Sequence, residues 1–214
     1  MRRMLHRCNT AIRTTAEGQV TYVPAIALEL ELQLDEWYNY LPDVIRFQID
    51  LDEPPHSLRI ASSTITPLAS SPLSKFLRVQ YHCCRISIYW PAVYQAIHDG
   101  SVTDELQDHC RRFFNSYIQL MPSILPAFHE CIVNRWTLFA SIFMTTLAAM
   151  KGAASNCLEN SVDSAKLRQC FALARDADRS MVEMSPSLTL LAETLEQRLA
   201  TVCFSPPILY DADG

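Results

Sequence analysis

The chain has 214 residues, of which 49% are hydrophobic and 19% charged, with a formal net charge of −5. This apolar fraction excludes a disordered chain and is enough to form one folded domain. The negative charge argues against a surface that coats nucleic acid or an anionic membrane. The four glycines, Gly18, Gly100, Gly152 and Gly214, lie too far apart for a phosphate-binding glycine-rich loop.

The first predicted helix covers residues 27–41. Leucine alternates with Glu and Gln from residue 28 to 34, which is a strand period, but Ala, Leu, Glu and Gln are strong helix formers. Leu30, Leu34, Trp37 and Leu41 also fit one helical face. The stretch 42–74 is rich in Pro and Ser, which predicts an irregular connection.

Residues 75–203 are predicted to form the helical core. A helical stripe runs from 73 to 97, and Pro91 within it predicts a kink or a split. The next helix has Ser101 or Thr103 as its N-cap and is predicted to end at Pro122 and Pro126.

Residues 128–150 are apolar around most of a helical circumference, which predicts a helix in the middle of a bundle. Trp136 lies on its predicted inward face, and Gly152 fits its C-cap. The most hydrophobic run, 136–150, is shorter than the roughly 20 residues that span a bilayer, so a core helix is favoured over a membrane helix.

Two further helices are predicted over 162–181, with Ser161 as its cap, and from Ser185-Pro186 to 203. Residues 204–214 form an acidic tail. The pattern predicts an all-α fold, a bundle of about six to seven helices around an apolar central helix, with 1–214 as a single domain.

The eight cysteines are predicted to be reduced core thiols, because they lie in apolar periodic segments and no C-x-x-C occurs. His82-Cys83-Cys84, His109-Cys110 and His129 with Cys131 could together bind a metal across helices. The position of the cysteines on apolar stripes favours core packing instead. No cysteine or serine has the context of a catalytic nucleophile.

Lys75, Arg78, His82 and Arg85 form a basic stripe that could contact phosphate. Solvation, or pairing with Asp104, Glu105 and Asp108, is the favoured interpretation. The aromatic residues of the same helix, Tyr81, Tyr89, Trp90 and Tyr94, could line a small-molecule cavity, although core packing is favoured for most of them.

Three stretches resemble the fungal-specific transcription factor domain, the regulatory region that follows the zinc binuclear cluster in fungal Zn2Cys6 activators. They are LELELQLDEWYNYLPDVIRF at 28–47, LRVQYHCCRISIYWPAVYQAI at 77–97, and residues 110–153, which contain Cys110 and the Trp136 helix. The resemblance implies an all-α fold, a nuclear location and a role in tuning activator output through protein partners or a small-molecule effector. It implies no catalytic, cofactor or metal residues.

The sequence departs from this family in lacking the six-cysteine cluster and the coiled-coil linker. We therefore expect a C-terminal fragment, a truncated gene product or a stand-alone homologue, with no direct nucleic-acid binding by this chain. The Arg-rich start favours a fragment or a truncated product over a stand-alone homologue. A mitochondrial presequence is a less favoured interpretation of the same residues. The alternatives to a regulatory domain are an all-α small-molecule-modifying enzyme and a membrane-associated helical protein.

Overall fold

Six α-helices make up most of the chain that the computed structural model describes, residues 12–14, 20–49, 71–179 and 186–203. They are α1 (Pro24–Asn39), α2 (Pro72–Asp99), α3 (Asp104–Glu130), α4 (Arg135–Ala153), α5 (Ser164–Arg179) and α6 (Pro186–Cys203). The all-α fold class is thereby confirmed.

A short antiparallel hairpin, which the sequence did not predict, precedes the first helix. Its strands are β1 (Ile12–Thr14) and β2 (Val20–Tyr22), paired with Ile12 opposite Tyr22. The backbone N–H of Tyr22 donates to Oε1 of Gln95 at 3.2 Å, so β2 is fixed to α2.

Helix α1 begins three residues before its predicted start, because Pro24 occupies the first turn, where a missing N–H costs nothing. Leu30 and Leu34 are buried as predicted, and so is Glu31. After the helix come a 3₁₀ turn at Asp43–Ile45 and the buried ring of Phe47. Most of the predicted connection, residues 50–70, lies outside the described residues.

Helices α2 and α3 form the most extensive helix pair among the described elements. The four residues between them include Gly100, whose φ of 65° lies in the left-handed region, where glycine ends a helix without strain. Pro91 is buried inside α2, which continues to Asp99 as one element, so the predicted split is wrong.

The prediction that Pro122 and Pro126 end the third helix is also wrong, because α3 continues to Glu130. Both prolines are exposed, while Ala127 and Phe128 are buried beyond them. Tertiary packing of that last turn therefore outweighs the lost backbone bonds. Pro122 leaves the Ile118 carbonyl without its intrahelical donor, and Sγ of Cys170 lies 3.9 Å from that oxygen.

The range of the predicted helix, 128–150, is divided among three elements. Phe128 belongs to α3, a 3₁₀ turn covers Ile132–Asn134, and α4 starts at Arg135. Trp136 is 60% exposed and does not point inward as predicted. The buried side of α4 carries Leu138, Phe139, Ile142, Thr146 and Ala149.

Gly152 lies inside α4 and is not its C-cap, which is Ala154. A Cβ atom at residue 152 would lie 2.9 Å from Cζ of Phe114 and 3.0 Å from Cγ1 of Val93. The glycine therefore permits the close approach of α4 to both α2 and α3.

Helices α5 and α6 complete the described bundle, with Leu167 and Phe171 buried on the first and Leu195 and Leu199 on the second. Asp163 caps α5 by accepting from the N–H of Ala165 and Lys166, at 3.1 and 3.0 Å, in place of the predicted Ser161. The predicted tail, 204–214, lies outside the described residues.

Candidate functional site

A buried carboxylate, Glu31 of α1, lies where α1 meets α2 and α3. Its side chain receives Arg85 Nη2 on Oε1 and Arg112 Nη1 on Oε2, each at 2.6 Å. The hydroxyl of Tyr89 donates to Oε2, also at 2.6 Å. Both carboxylate oxygens are therefore engaged by donors from two neighbouring helices.

Helical spacing brings these donors together. Arg85 and Tyr89 are four residues apart on α2, and Asp108 and Arg112 are four apart on α3, so each pair shares a helical face. Oδ2 of Asp108 accepts from Nε of Arg112 at 2.9 Å, which orients that guanidinium. We call Glu31, Arg85, Tyr89, Asp108 and Arg112 the Glu31 cluster.

The charges of the Glu31 cluster balance, because two carboxylates meet two guanidinium groups. Burial acts to lower the pKa of Arg112, but the hydrogen bond to Asp108 and the negative charges around it raise that pKa overall. Burial and the hydrogen bond to Glu31 raise the pKa of Tyr89, so its phenol stays a donor at neutral pH. The cluster thus cross-links three helices through compensated charges.

The hairpin joins this network through His109 of α3. Its Nδ1 lies 2.7 Å from the hydroxyl of Tyr22, and its ring centroid lies 5.2 Å from that of Tyr89. Burial lowers the pKa of His109, with Arg112 acting in the same direction. The Nδ1 atom of a neutral His109 can accept a hydrogen bond from the hydroxyl of Tyr22, which holds β2 against α3.

A second buried polar group lies nearer the start of α2. Arg78 is 8% exposed and donates to the hydroxyl of Ser123 on α3 and, at 2.8 Å, to the carbonyl of Ile49. One turn further on, His82 is 1% exposed. Burial, and then the positive charges of Arg78 and Arg85, lower the pKa of His82 to about 3.

The basic stripe is therefore not a solvated face, and its predicted acidic partners on α3 are wrong. Lys75 pairs with Glu130, and Arg85 pairs with Glu31. The physical reason is that α1 packs against α2 and places the carboxylate of Glu31 beside Arg85. These cations contribute to internal contacts rather than to a phosphate-binding surface.

The candidate metal ligands do not come together. Within the described ranges, no group of three His, Cys, Asp or Glu side chains is placed to hold a metal ion. His109 bonds to Tyr22, His129 is exposed, and Sγ of Cys131 donates to the carbonyl of Pro72 at 3.0 Å. Burial raises the pKa of Cys110 to about 12 and that of Cys83 to about 11.

The aromatic residues of α2 are divided between core and surface. Tyr81 and Tyr89 are buried, and the Tyr81 hydroxyl donates to Oδ1 of Asp35 at 2.9 Å. Trp90 packs 5.8 Å from the Phe113 ring, whereas Tyr94 is 37% exposed.

Three open cavities of about 160, 210 and 320 Å³ lie on the described surface. None of these three is lined by Tyr81, Tyr89, Trp90 or Tyr94. The largest lies at the start of α2, between Leu73 and Phe76 on one side and Glu130, Cys131 and Val133 on the other.

The sequence analysis did not identify Glu31. In the sequence it looks like one of several exposed acids in a segment where Leu alternates with Glu and Gln. The available signal was helical: on α1 it is adjacent to the apolar position Leu30 and three residues before Leu34. Only after the helices are packed is it visible that three donors, on α2 and α3, share this one buried acceptor.

Taken together, the described residues define an all-α domain whose buried polar side chains brace its helices. No family model matches the chain, and no solved structure matches it. No helix among the described residues has the length and apolar character needed to cross a bilayer.

The chain is 48% identical over 199 residues to a protein of Aspergillus rugulosus named "Putative transcription factor ecdB". The alignment covers 93% of this chain and 35% of that protein. The chain thus spans about a third of the length of this curated relative. A relative so named supports a role in transcription regulation.

Proposed function

We propose that this chain is a regulatory region of a fungal transcription factor, which modulates transcription in the nucleus without contacting DNA itself. The observation that carries the proposal is the 48% identity to the Aspergillus rugulosus protein over nearly the whole of this chain. The resemblance of residues 28–47, 77–97 and 110–153 to the fungal-specific transcription factor domain supports it further.

The disposition of charge supports a role away from DNA. The net charge is −5, and Arg78, Arg85 and Arg112 are occupied by contacts with Ser123, Glu31 and Asp108. Phosphate recognition needs cations that are free to replace counterions. Output would therefore be tuned through proteins of the transcription machinery or a small-molecule effector.

The chemistry of the buried groups supports a non-enzymatic role. A nucleophilic thiol needs a lowered pKa, whereas burial raises the pKa of Cys83 to about 11 and of Cys110 to about 12. Both carboxylate oxygens of Glu31 already accept hydrogen bonds from guanidinium groups of the same chain, so this carboxylate is engaged in packing the helices.

The test is to fuse residues 1–214 to a heterologous DNA-binding domain and measure a reporter gene in a filamentous fungus. We expect a severalfold change in reporter output relative to the DNA-binding domain alone. A Gly152→Trp fusion, in which α4 cannot approach Phe114 and Val93, is expected to lose the effect at equal protein level. Reporter output equal to that of the DNA-binding domain alone would contradict the proposal.

A gel-shift assay with the purified chain tests the second part of the proposal. Fragmented fungal genomic DNA should migrate unchanged at physiological salt. Tight, sequence-selective retardation by this chain alone would show that it reads DNA itself.

A further inference from the structure

The solvent-facing side of α1 combines exposed leucines with exposed glutamates. Leu28 is 38% and Leu32 61% exposed, and Glu29 and Glu36 are exposed beside them. Their spacing of three and four residues places all four along one side of the helix. We call these four residues the α1 outer face. Apolar side chains flanked by charges of one sign are complemented by a segment that is both apolar and basic.

The negative charge of α1 is largely uncompensated. The helix has four acidic residues and no Lys, Arg or His. Among the described residues, only Glu31 of these four takes part in an ion pair. Glu29 and Asp35 accept hydrogen bonds from neutral donors. Glu36 lies in the last turn of α1, where the carbonyl end of the helix dipole makes a negative charge unfavourable. A cationic group beside this turn would therefore stabilise the helix.

The N-terminal segment of the same chain has the opposite character. Residues 1–11 have the sequence MRRMLHRCNTA and lie outside the described residues. They include three arginines and no acidic residue, and Met4 and Leu5 stand between the second and third arginines. An arginine packs its aliphatic stem on apolar surface while its guanidinium pairs with a carboxylate. The composition of this segment therefore matches both the leucines and the glutamates of the α1 outer face.

The hairpin directs this segment toward α1. Ile12 is paired with Tyr22 in the antiparallel register, which sets their Cα atoms about 5 Å apart. Because β2 leads from Tyr22 into α1 at Pro24, the chain enters Ile12 at the end of the hairpin where α1 begins. Eleven residues extend up to about 36 Å, whereas the 16 residues of α1 span about 24 Å. The whole α1 outer face is within reach of the segment.

We propose that residues 1–11 dock on the α1 outer face of their own chain. Arginine side chains pair with Glu29 and Glu36, and the apolar side chains between them pack on Leu28 and Leu32. The tether gives the segment an effective concentration in the millimolar range, so individually weak contacts suffice. Displacing the segment exposes an acidic and apolar surface. The inference concerns contacts within the chain and does not depend on the proposed function.

Disulfide trapping in the intact chain tests the proposal. The native thiol of Cys8 belongs to the segment, and Leu28→Cys places a second thiol on the α1 outer face. Cys8 precedes Ile12 by four residues, a reach of about 13 Å, and residue 28 lies one turn beyond Pro24. Mild oxidation with diamide should link the two thiols within one chain. Non-reducing electrophoresis and peptide mapping measure the rate, and Cys8→Ser should abolish the link.

A charge-reversed variant is the matched control for the tether itself. Arg3→Glu with Arg7→Glu keeps the tether length and both thiols, and the trapping rate should fall at least about fivefold. Adding Glu29→Lys and Glu36→Lys to that variant should restore the rate, because the charges are then exchanged between the two surfaces. Salt at about 1 M, where the Debye length is about 3 Å, should also slow trapping in the unreversed chain. Circular dichroism checks that each variant is folded.

Three results would overturn the proposal. The first is no link in the folded chain, and the second is a trapping rate that reversal of the arginines leaves unchanged, since random motion of the tether would explain such a link. The third is a link formed between two chains in place of one within a chain, which would make a second copy the occupant. Leu32→Cys, one turn further along α1, serves as the trapping position if Leu28→Cys does not fold.

Discussion

The side chain of Glu31 joins three helices, so its substitution should lower the stability of the whole bundle. Glu31→Gln keeps the size of the side chain but removes the carboxylate that Arg85 pairs with, and leaves Arg112 with Asp108 alone. We expect a loss of about 2–3 kcal/mol in the free energy of unfolding, measured by urea denaturation. The loss is smaller than for a fully buried pair because these arginine side chains remain 22% and 37% exposed.

Glu29→Gln is the matched control for this change. Glu29 lies on the same helix, is exposed, and accepts a hydrogen bond only from its neighbour Gln33 among the bonds described for it. Its substitution should alter the free energy of unfolding by less than about 0.5 kcal/mol. Equal effects of the two substitutions would contradict the assignment of Glu31 as the acceptor that braces three helices.

The thiols give a second prediction for single residues. Burial raises the pKa of Cys83, Cys110 and Cys170, to about 11 or 12, so little thiolate is present near neutral pH. Iodoacetamide should therefore leave these three unmodified in the folded chain and alkylate them in urea. Peptide mapping by mass spectrometry measures each site separately. Rapid alkylation of Cys110 without denaturant would show that the packing around this thiol opens readily.

At the scale of the helices, the sequence predicted those helix ends that carry a local signal, such as an N-cap residue or a proline. Thr103 and Pro186 mark helix starts that the structure confirms, because capping and proline geometry act within a few residues. The C-terminal end of α3 and the division before α4 were not predicted, since burial of Ala127 and Phe128 offsets the cost of Pro122 and Pro126. That burial depends on neighbouring helices which periodicity does not reveal.

The Glu31 cluster escaped prediction for the same reason. Its donors lie more than fifty residues from Glu31 along the chain. Periodicity places Arg85 and Arg112 on helical faces but does not say which helix will cover them. The candidate site is therefore a product of tertiary packing.

Helix α4 lies close to α2 and α3 at Gly152, so the substitution Gly152→Ala tests how tightly these three helices pack. In an unconstrained helix this change would stabilise the protein by about 1 kcal/mol. Here the new methyl group would meet Phe114 at 2.9 Å and Val93 at 3.0 Å, so we expect a net loss of about 1–2 kcal/mol. Thermal unfolding measures the difference.

The neighbouring residue Ala153 supplies the control for Gly152. It is exposed in the last turn of α4, so Ala153→Gly should lower stability by no more than about 1 kcal/mol, through helix propensity alone. A rise in melting temperature for Gly152→Ala would mean that α4 does not lie as close to α2 and α3 as described.

The stability of the whole bundle depends on buried polar side chains, each of which is compatible with folding in one protonation state. Arg78 and Glu31 are buried as charged groups with partners, whereas His82 and His109 are buried where burial disfavours their charged form. Protonation of these histidines therefore opposes folding, and the stability of the domain becomes a function of pH.

The predicted pH dependence has a definite sign. His82 has a pKa of about 3 in the folded chain against 6.5 for an unperturbed histidine, so below pH 6.5 the unfolded state binds more protons. Stability should therefore fall as pH falls from 6.5, by up to about 1.4 kcal/mol per pH unit for this group, with His109 acting in the same direction. Urea denaturation between about pH 5 and 7 measures the slope. His82→Leu should flatten the slope, whereas His98→Leu, which removes an exposed histidine, serves as the control. An unchanged slope in the folded His82→Leu chain would mean that His82 is reached by water and is not enclosed between α2 and its neighbours.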